Sequence, residues 1–253
     1  MNRATLLAVP LLLAAGCAHP ARTATSPESI EIRQSGGDGE AALQVARVLP
    51  GALERVERWG SLSGPVVVRI QPSNETLAAT AGRPGATWLR GWARQGTVDI
   101  QSPRTWSRGR ASDDAVATLL THELTHCLLF QRIGSDWARR DVPSWFEEGM
   151  ASFTAGERHA RADASALWPA TAGHPVDAAL AYGTADRAFR YLVTRHGVEA
   201  VRGVLDGLAA GRGFASAFQA ATGSPVAAFE EALRGHLGAG SASLLFTESS
   251  TRW

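Results

Sequence analysis

Residues 121–130 read Thr-His-Glu-Leu-Thr-His-Cys-Leu-Leu-Phe, and the five from His122 to His126 decide what the chain can be. Two His four positions apart share one face of an α-helix, so both imidazoles can reach a single metal ion. Glu123 falls beside that face, where a carboxylate can take a proton from a water that the metal activates. Seven His and fourteen Glu in 253 residues would give H-E-x-x-H by chance in roughly one such chain in a hundred. The surroundings weigh further against chance. From Ala115 to Phe130 the residues are mostly Ala, Val, Leu, Cys and Phe, which predicts a helix buried almost all round. Two His and a Glu buried together are costly unless something pairs them, and a metal would do so. Ser112-Asp113-Asp114 supplies a cap and negative charge at the start of this helix, and Gly134 supplies its stop.

A catalytic zinc site keeps three protein ligands and one open position. Downstream stands Pro143-Ser144-Trp145-Phe146-Glu147-Glu148-Gly149-Met150-Ala151. Ser144 and Glu147 have the spacing of a capping box, which predicts a second helix and engages Glu147 at its start. Glu148 is then the free carboxylate and the expected third ligand. Gly149 permits close backbone approach, expected here against the first helix. No His follows His126 at the H-E-x-x-H-x-x-G-x-x-H spacing, which excludes the metzincin pattern. Among the other His, His159 is the alternative ligand.

Together, H-E-L-T-H and the later P-S-W-F-E-E-G-M-A resemble the gluzincin, or peptidase MA-like, zinc metallopeptidases, over roughly residues 66–237. The resemblance implies an α+β, zincin-like fold: a small mixed sheet packed on the H-E-x-x-H helix, then a mostly helical half. It implies one Zn2+ per chain on His122, His126 and Glu148, with Glu123 as general base. It also implies that the strand just before the zinc helix is an edge strand that pairs with extended peptide. In Ala181-Tyr182-Gly183-Thr184-Ala185 it points to Tyr182 as the oxyanion donor, although Thr or Ala stands where the family usually has Ser. A Tyr packed at a helix end is the alternative. Tyr191, among Phe189, Leu192 and Val193, reads as core.

The N-terminus reads as a targeting segment: Arg3, an apolar run from Leu6 to Leu13, then Ala14-Ala15-Gly16-Cys17. The run is too short to span a bilayer. Small residues before Cys17 match a bacterial lipoprotein box, which predicts lipidation of Cys17 and an acyl anchor on an envelope membrane. The alternative is an ordinary secretory signal cut near Ala15 or Ala18. Residues 18–39, rich in Ala, Thr, Ser, Pro and Gly, read as a tether, residues 40–237 as one folded domain, and residues 238–253 as a loose tail.

Net charge is +1, which gives no basis for nucleic-acid binding. Cys17 and Cys127 are the only cysteines, so there is no disulfide framework. Cys127 lies about 100° round the helix from His126 and reads as a small buried filler. Elsewhere the pattern predicts a helix over 40–59 broken or kinked at Pro50, strands over 66–70 and 96–101, and a short helix over 73–81. Further helices are expected over 185–196, 198–210, 214–221 and 225–236, separated by Gly. The expected activity is that of an envelope-anchored zinc metallopeptidase acting on peptide or protein. The competing readings are a zinc-binding lipoprotein without turnover and a zinc hydrolase of a non-peptide amide.

Overall fold

The computed structural model describes residues 30–34, 38–106, 110–134, 141–167 and 177–248. Cys17 and the targeting segment lie outside them. Within the described residues the fold is a mixed α+β arrangement of a four-stranded sheet and seven α-helices. None of these helices is long and apolar enough to cross a membrane.

The strands are β1 (Ile30–Gln34), β2 (Val66–Gln71), β3 (Gly91–Arg94) and β4 (Thr97–Gln101), in the order β1-β2-β4-β3. β1 and β4 run parallel to β2, and β3 runs antiparallel to β4. Two expectations are corrected here. The tether was expected to reach residue 39, but Ile30–Gln34 form a sheet strand. Ile30-Glu31-Ile32-Arg33 alternates apolar and charged residues, which suits a half-buried edge, and both Ile pack on the core. The strand before the H-E-x-x-H helix, β4, is not an edge. β3 covers it, so β3 presents the outer edge on that side. β3 and β4 form a hairpin that turns at Gly96, whose φ of 73° favours Gly.

Helix α1 (Gly39–Val56) passes straight through Pro50 rather than breaking there. Pro50 and Ala46 both face solvent, so the carbonyl that loses its hydrogen bond can turn to water. Helix α2 (Asn74–Thr80) is capped by Ser73, whose hydroxyl accepts from Thr76 N. Helix α3 (Asp113–Ile133) starts at Ser112, which accepts from Ala115 N, and stops at Gly134 in the left-handed region. It is the central post of the molecule. Every residue from Leu120 to Phe130 is buried, and it packs against α1, β3 and β4 as well as the helices that follow.

The second half comprises α4 (Ser144–Ala155), α5 (Ala178–Ala209), α6 (Phe214–Thr222) and α7 (Val226–Glu248). α5 bends at Gly197, where φ is 80°. An aromatic cluster ties this half together. Buried Trp145 stacks on Phe229 at 5.1 Å, and its indole N–H donates to Glu230 at 3.0 Å. Three further corrections fall here. The tail expected from residue 238 continues α7 as far as Glu248. The Ser144–Glu147 capping box does not form, because Pro143 is the N-cap and Ser144 already lies inside the helix. Gly149 serves close approach, but to α5 rather than α3: a Cβ there would overlap the Ala185 carbonyl oxygen and come within 2.8 Å of Phe189 Cβ.

Candidate metal centre and cleft

The i, i+4 spacing on α3 turns both imidazoles to the same side, and α4 packs across that side. The Nε2 atoms of His122 and His126 stand 3.1 Å apart. Glu148 Oε2 lies 3.5 Å from the first and 3.3 Å from the second. Three ligand atoms of a tetrahedral zinc with bonds near 2.0–2.1 Å should stand about 3.3 Å apart, so the triangle already has the right edges. Glu148 Oε2 is buried and finds no hydrogen-bond donor among the described residues. A buried carboxylate oxygen without a donor is costly unless something else binds it. The donor set and its geometry therefore fit a zinc ion. Glu147 approaches His126 Nδ1 at 3.7 Å instead, outside the triangle of the two Nε2 atoms and Glu148 Oε2.

Glu123 lies in the same cleft, pressed against the backbone of β3. A Cβ on Gly91 would overlap its carboxylate. Burial pushes the Glu123 carboxyl above its usual range; His122 and His126 oppose this, and Glu148 and Glu157 add to it. Burial disfavours charge on His122 and His126, yet both are held above the usual imidazole range by Glu148, helped by Glu157 at His122 and Glu147 at His126. The Glu148 carboxyl, for its part, is buried but held far below the carboxylate range by His126 and His122.

Glu157 was not anticipated from the sequence. Its Oε1 stands 3.1 Å from His122 Nδ1, while its Oε2 stands 3.1 Å from His159 Nε2. Local structure delivers it there. α4 ends at Gly156 in the left-handed region, and Glu157 N donates back to Ser152 O, a Schellman closure. Arg190, paired with Asp186, donates to the Glu157 carbonyl. The chain then crosses α5 at Gly183, where any side chain would strike Arg161 O, and Thr184 Oγ1 bonds to both N and O of Asp163. The local cue was a Glu just past a helix-ending Gly. His159, the alternative ligand, holds Glu157 and is outside the metal triangle.

Tyr182 lines the cleft, with its ring 6.4 Å from that of His122 and stacked on that of His159 at 6.5 Å. The charge of Glu148 comes first among the causes that raise its phenol far above the usual range, followed by burial, Glu123 and Glu157. Arg83 opposes them. The hydroxyl is therefore a donor at any ordinary pH. Tyr191 is partly buried against the core, as expected. Cys127 is fully buried on another face of α3, and burial pushes its thiol up to about 11, the state of an inert filler. The cleft encloses about 500 Å³ between β3 with its preceding loop, α3, α4 and α5. No family model matches the chain, and a search of the curated proteins finds no match.

Proposed function

We propose that this chain is a zinc-dependent peptidase that hydrolyses peptide bonds, tethered to an envelope membrane through Cys17. One observation carries the reading: two Nε2 atoms and one carboxylate oxygen stand at tetrahedral-zinc separations, inside a cleft that Glu123 and Tyr182 also line. Gluzincin-like descent, inferred from the two motifs, is part of the same proposal.

His122, His126 and Glu148 would hold the metal, which would supply a Lewis acid for water and carbonyl. Glu123 takes the proton that the attacking water loses and returns it to the leaving amine as the C–N bond breaks. Burial raises its affinity for that proton, bringing it closer to what a base at neutral pH needs. The Tyr182 hydroxyl donates to the carbonyl oxygen as negative charge builds there. Glu157 fixes the orientation of His122 from behind, a role whose loss weakens metal sites. The outer edge of β3, with Gly91, Trp92 and Ala93 on the cleft wall, offers main-chain groups to an extended peptide.

The test is cleavage of a peptide library by the chain starting near residue 18, read by mass spectrometry, with Glu123→Gln alongside. Wild type should cleave. Glu123→Gln should keep its zinc and fold but lose about 10²-fold or more in rate. An active Glu123→Gln protein excludes this mechanism. Zinc-loaded wild type that cleaves no peptide moves the reading to a binding lipoprotein or a hydrolase of a non-peptide amide.

A further inference from the structure

The wall of the cleft facing α3 comes from the loop between α2 and β3, and this loop is firmly held. Asn74 Nδ2 donates to both Ala86 O and Leu89 O. Arg83 N donates to Ala78 O, and Ala86 N to Arg83 O. Leu89 is buried with Leu77 and Ala81, and Ala86 and Trp92 pack on them. A loop fixed at this many points is a preorganised surface rather than a moving cover.

This surface carries Arg83 into the cleft. Its guanidinium lies over the Trp92 ring at 4.5 Å. Cleft residues of opposite charge are plentiful, yet no carboxylate of the described residues comes within ion-pair distance of it. Glu148 and Glu157 face the histidines instead. Arg90, its neighbour on the same wall, differs: its Nη1 is engaged by the carbonyls of Thr87 and Leu89. Arg83 therefore enters the cleft as a cation that no carboxylate of the described residues neutralises. Arg83 and the proposed oxyanion donor Tyr182 line the same cleft.

We infer that Arg83, seated over the Trp92 ring, is a subsite that binds a carboxylate of the substrate. The inference rests on the peptidase reading for what the substrate is, and names its class: a peptide with either a free C-terminal carboxylate or an acidic side chain at this position. A guanidinium held over an aromatic face keeps N–H groups that the ring does not engage. Those groups form the fork that matches a carboxylate with two parallel hydrogen bonds. This placement also removes much of the freedom that a lone surface Arg would lose on binding.

The experiment measures binding separately from turnover. Fluorescence anisotropy follows three probes on the full chain carrying Glu123→Gln: dansyl-Gly-Leu-Phe-Ala as the free acid, the same peptide as the carboxamide, and dansyl-Gly-Leu-Phe-Glu carboxamide. At least one carboxylate-bearing probe should bind about 10- to 100-fold more tightly than the neutral one. Preference for the free acid alone identifies the terminal carboxylate, and preference for the Glu probe identifies an acidic side chain. Adding Arg83→Gln should reduce the preference to about threefold or less. Arg83→Lys keeps the charge without the fork and should retain an intermediate preference. Arg94→Gln, which removes an Arg on the same strand as Trp92 but outside the cleft, should leave it intact. Equal binding of all three probes, no binding of any, or a preference that survives Arg83→Gln would overturn the subsite. Cleavage of the same probes by wild type separates the two proposals. Arg83-dependent preference without cleavage contradicts the peptidase and leaves the subsite standing; cleavage without preference does the reverse.

Discussion

Adding one methyl group at Gly149 should damage both the fold and the site, although Gly149 is not itself a ligand. It sits where α4 crosses α5, and a Cβ there would overlap the Ala185 carbonyl oxygen and stand 2.8 Å from Phe189 Cβ. Ordinary carbon contacts begin near 3.5 Å, so the two helices must part by roughly 1 Å. Both neighbours are buried, and one is backbone, so neither can swing aside. Overpacking of this kind costs about 1–3 kcal/mol. The upper end applies here, and the better helix propensity of Ala returns about 1 kcal/mol. The net loss should be about 2 kcal/mol, or roughly 4–8 °C in Tm for a domain of this size. Glu148 is the residue immediately before it in the chain, and a shift of roughly 1 Å in a reacting geometry can cost about 10²-fold in rate. Gly51→Ala is the matched control. Gly51 also lies within a helix, α1, but a Cβ there meets nothing within 4 Å, so Ala should stabilise by about 0.5–1 kcal/mol. Thermal denaturation of the two variants, with peptidase rate measured alongside, makes the comparison. If Gly149→Ala were as stable and active as Gly51→Ala, the close crossing of α4 and α5 would be wrong.

Other outcomes follow from the same geometry. Gly91→Ala should lower activity by about 10-fold or more, because the three atoms nearest its Cβ all belong to the Glu123 side chain; equal kcat would refute that contact. Glu157→Gln should weaken zinc affinity by about 10- to 100-fold, read by competition with a chelator; an unchanged affinity would remove Glu157 from the support of His122. Cys17→Ala should move the protein from the membrane fraction to the soluble one, and identical soluble partition of both forms would replace the lipid anchor with ordinary secretion.

The parts of this fold that were legible in the sequence are those whose signals are local. α3 could be read from end to end because Ser112, the apolar run and Gly134 each act within a turn of where they stand. Glu148, not Glu147, faces both Nε2 atoms although no capping box engages Glu147: Pro143, not Ser144, caps α4. β3 was missed because Gly-Trp-Ala-Arg is four residues long and lacks a β-branched residue; it is a strand through pairing with β4. β1 carried a readable alternation that the polar composition around it masked. Glu157 could not be assigned a role from its neighbours, since its approach to His122 depends on Gly183 and Thr184 some two dozen residues further along.

Metal analysis of the purified chain decides whether His122, His126 and Glu148 hold a zinc ion. Wild type and Glu147→Ala should each carry one zinc per chain, and Glu123→Gln should carry it too. His122→Ala and His126→Ala should lose stoichiometric zinc, and Glu148→Ala should lose it or bind far more weakly. Full zinc in both His variants, or zinc lost with Glu147 and kept without Glu148, would contradict the site described here.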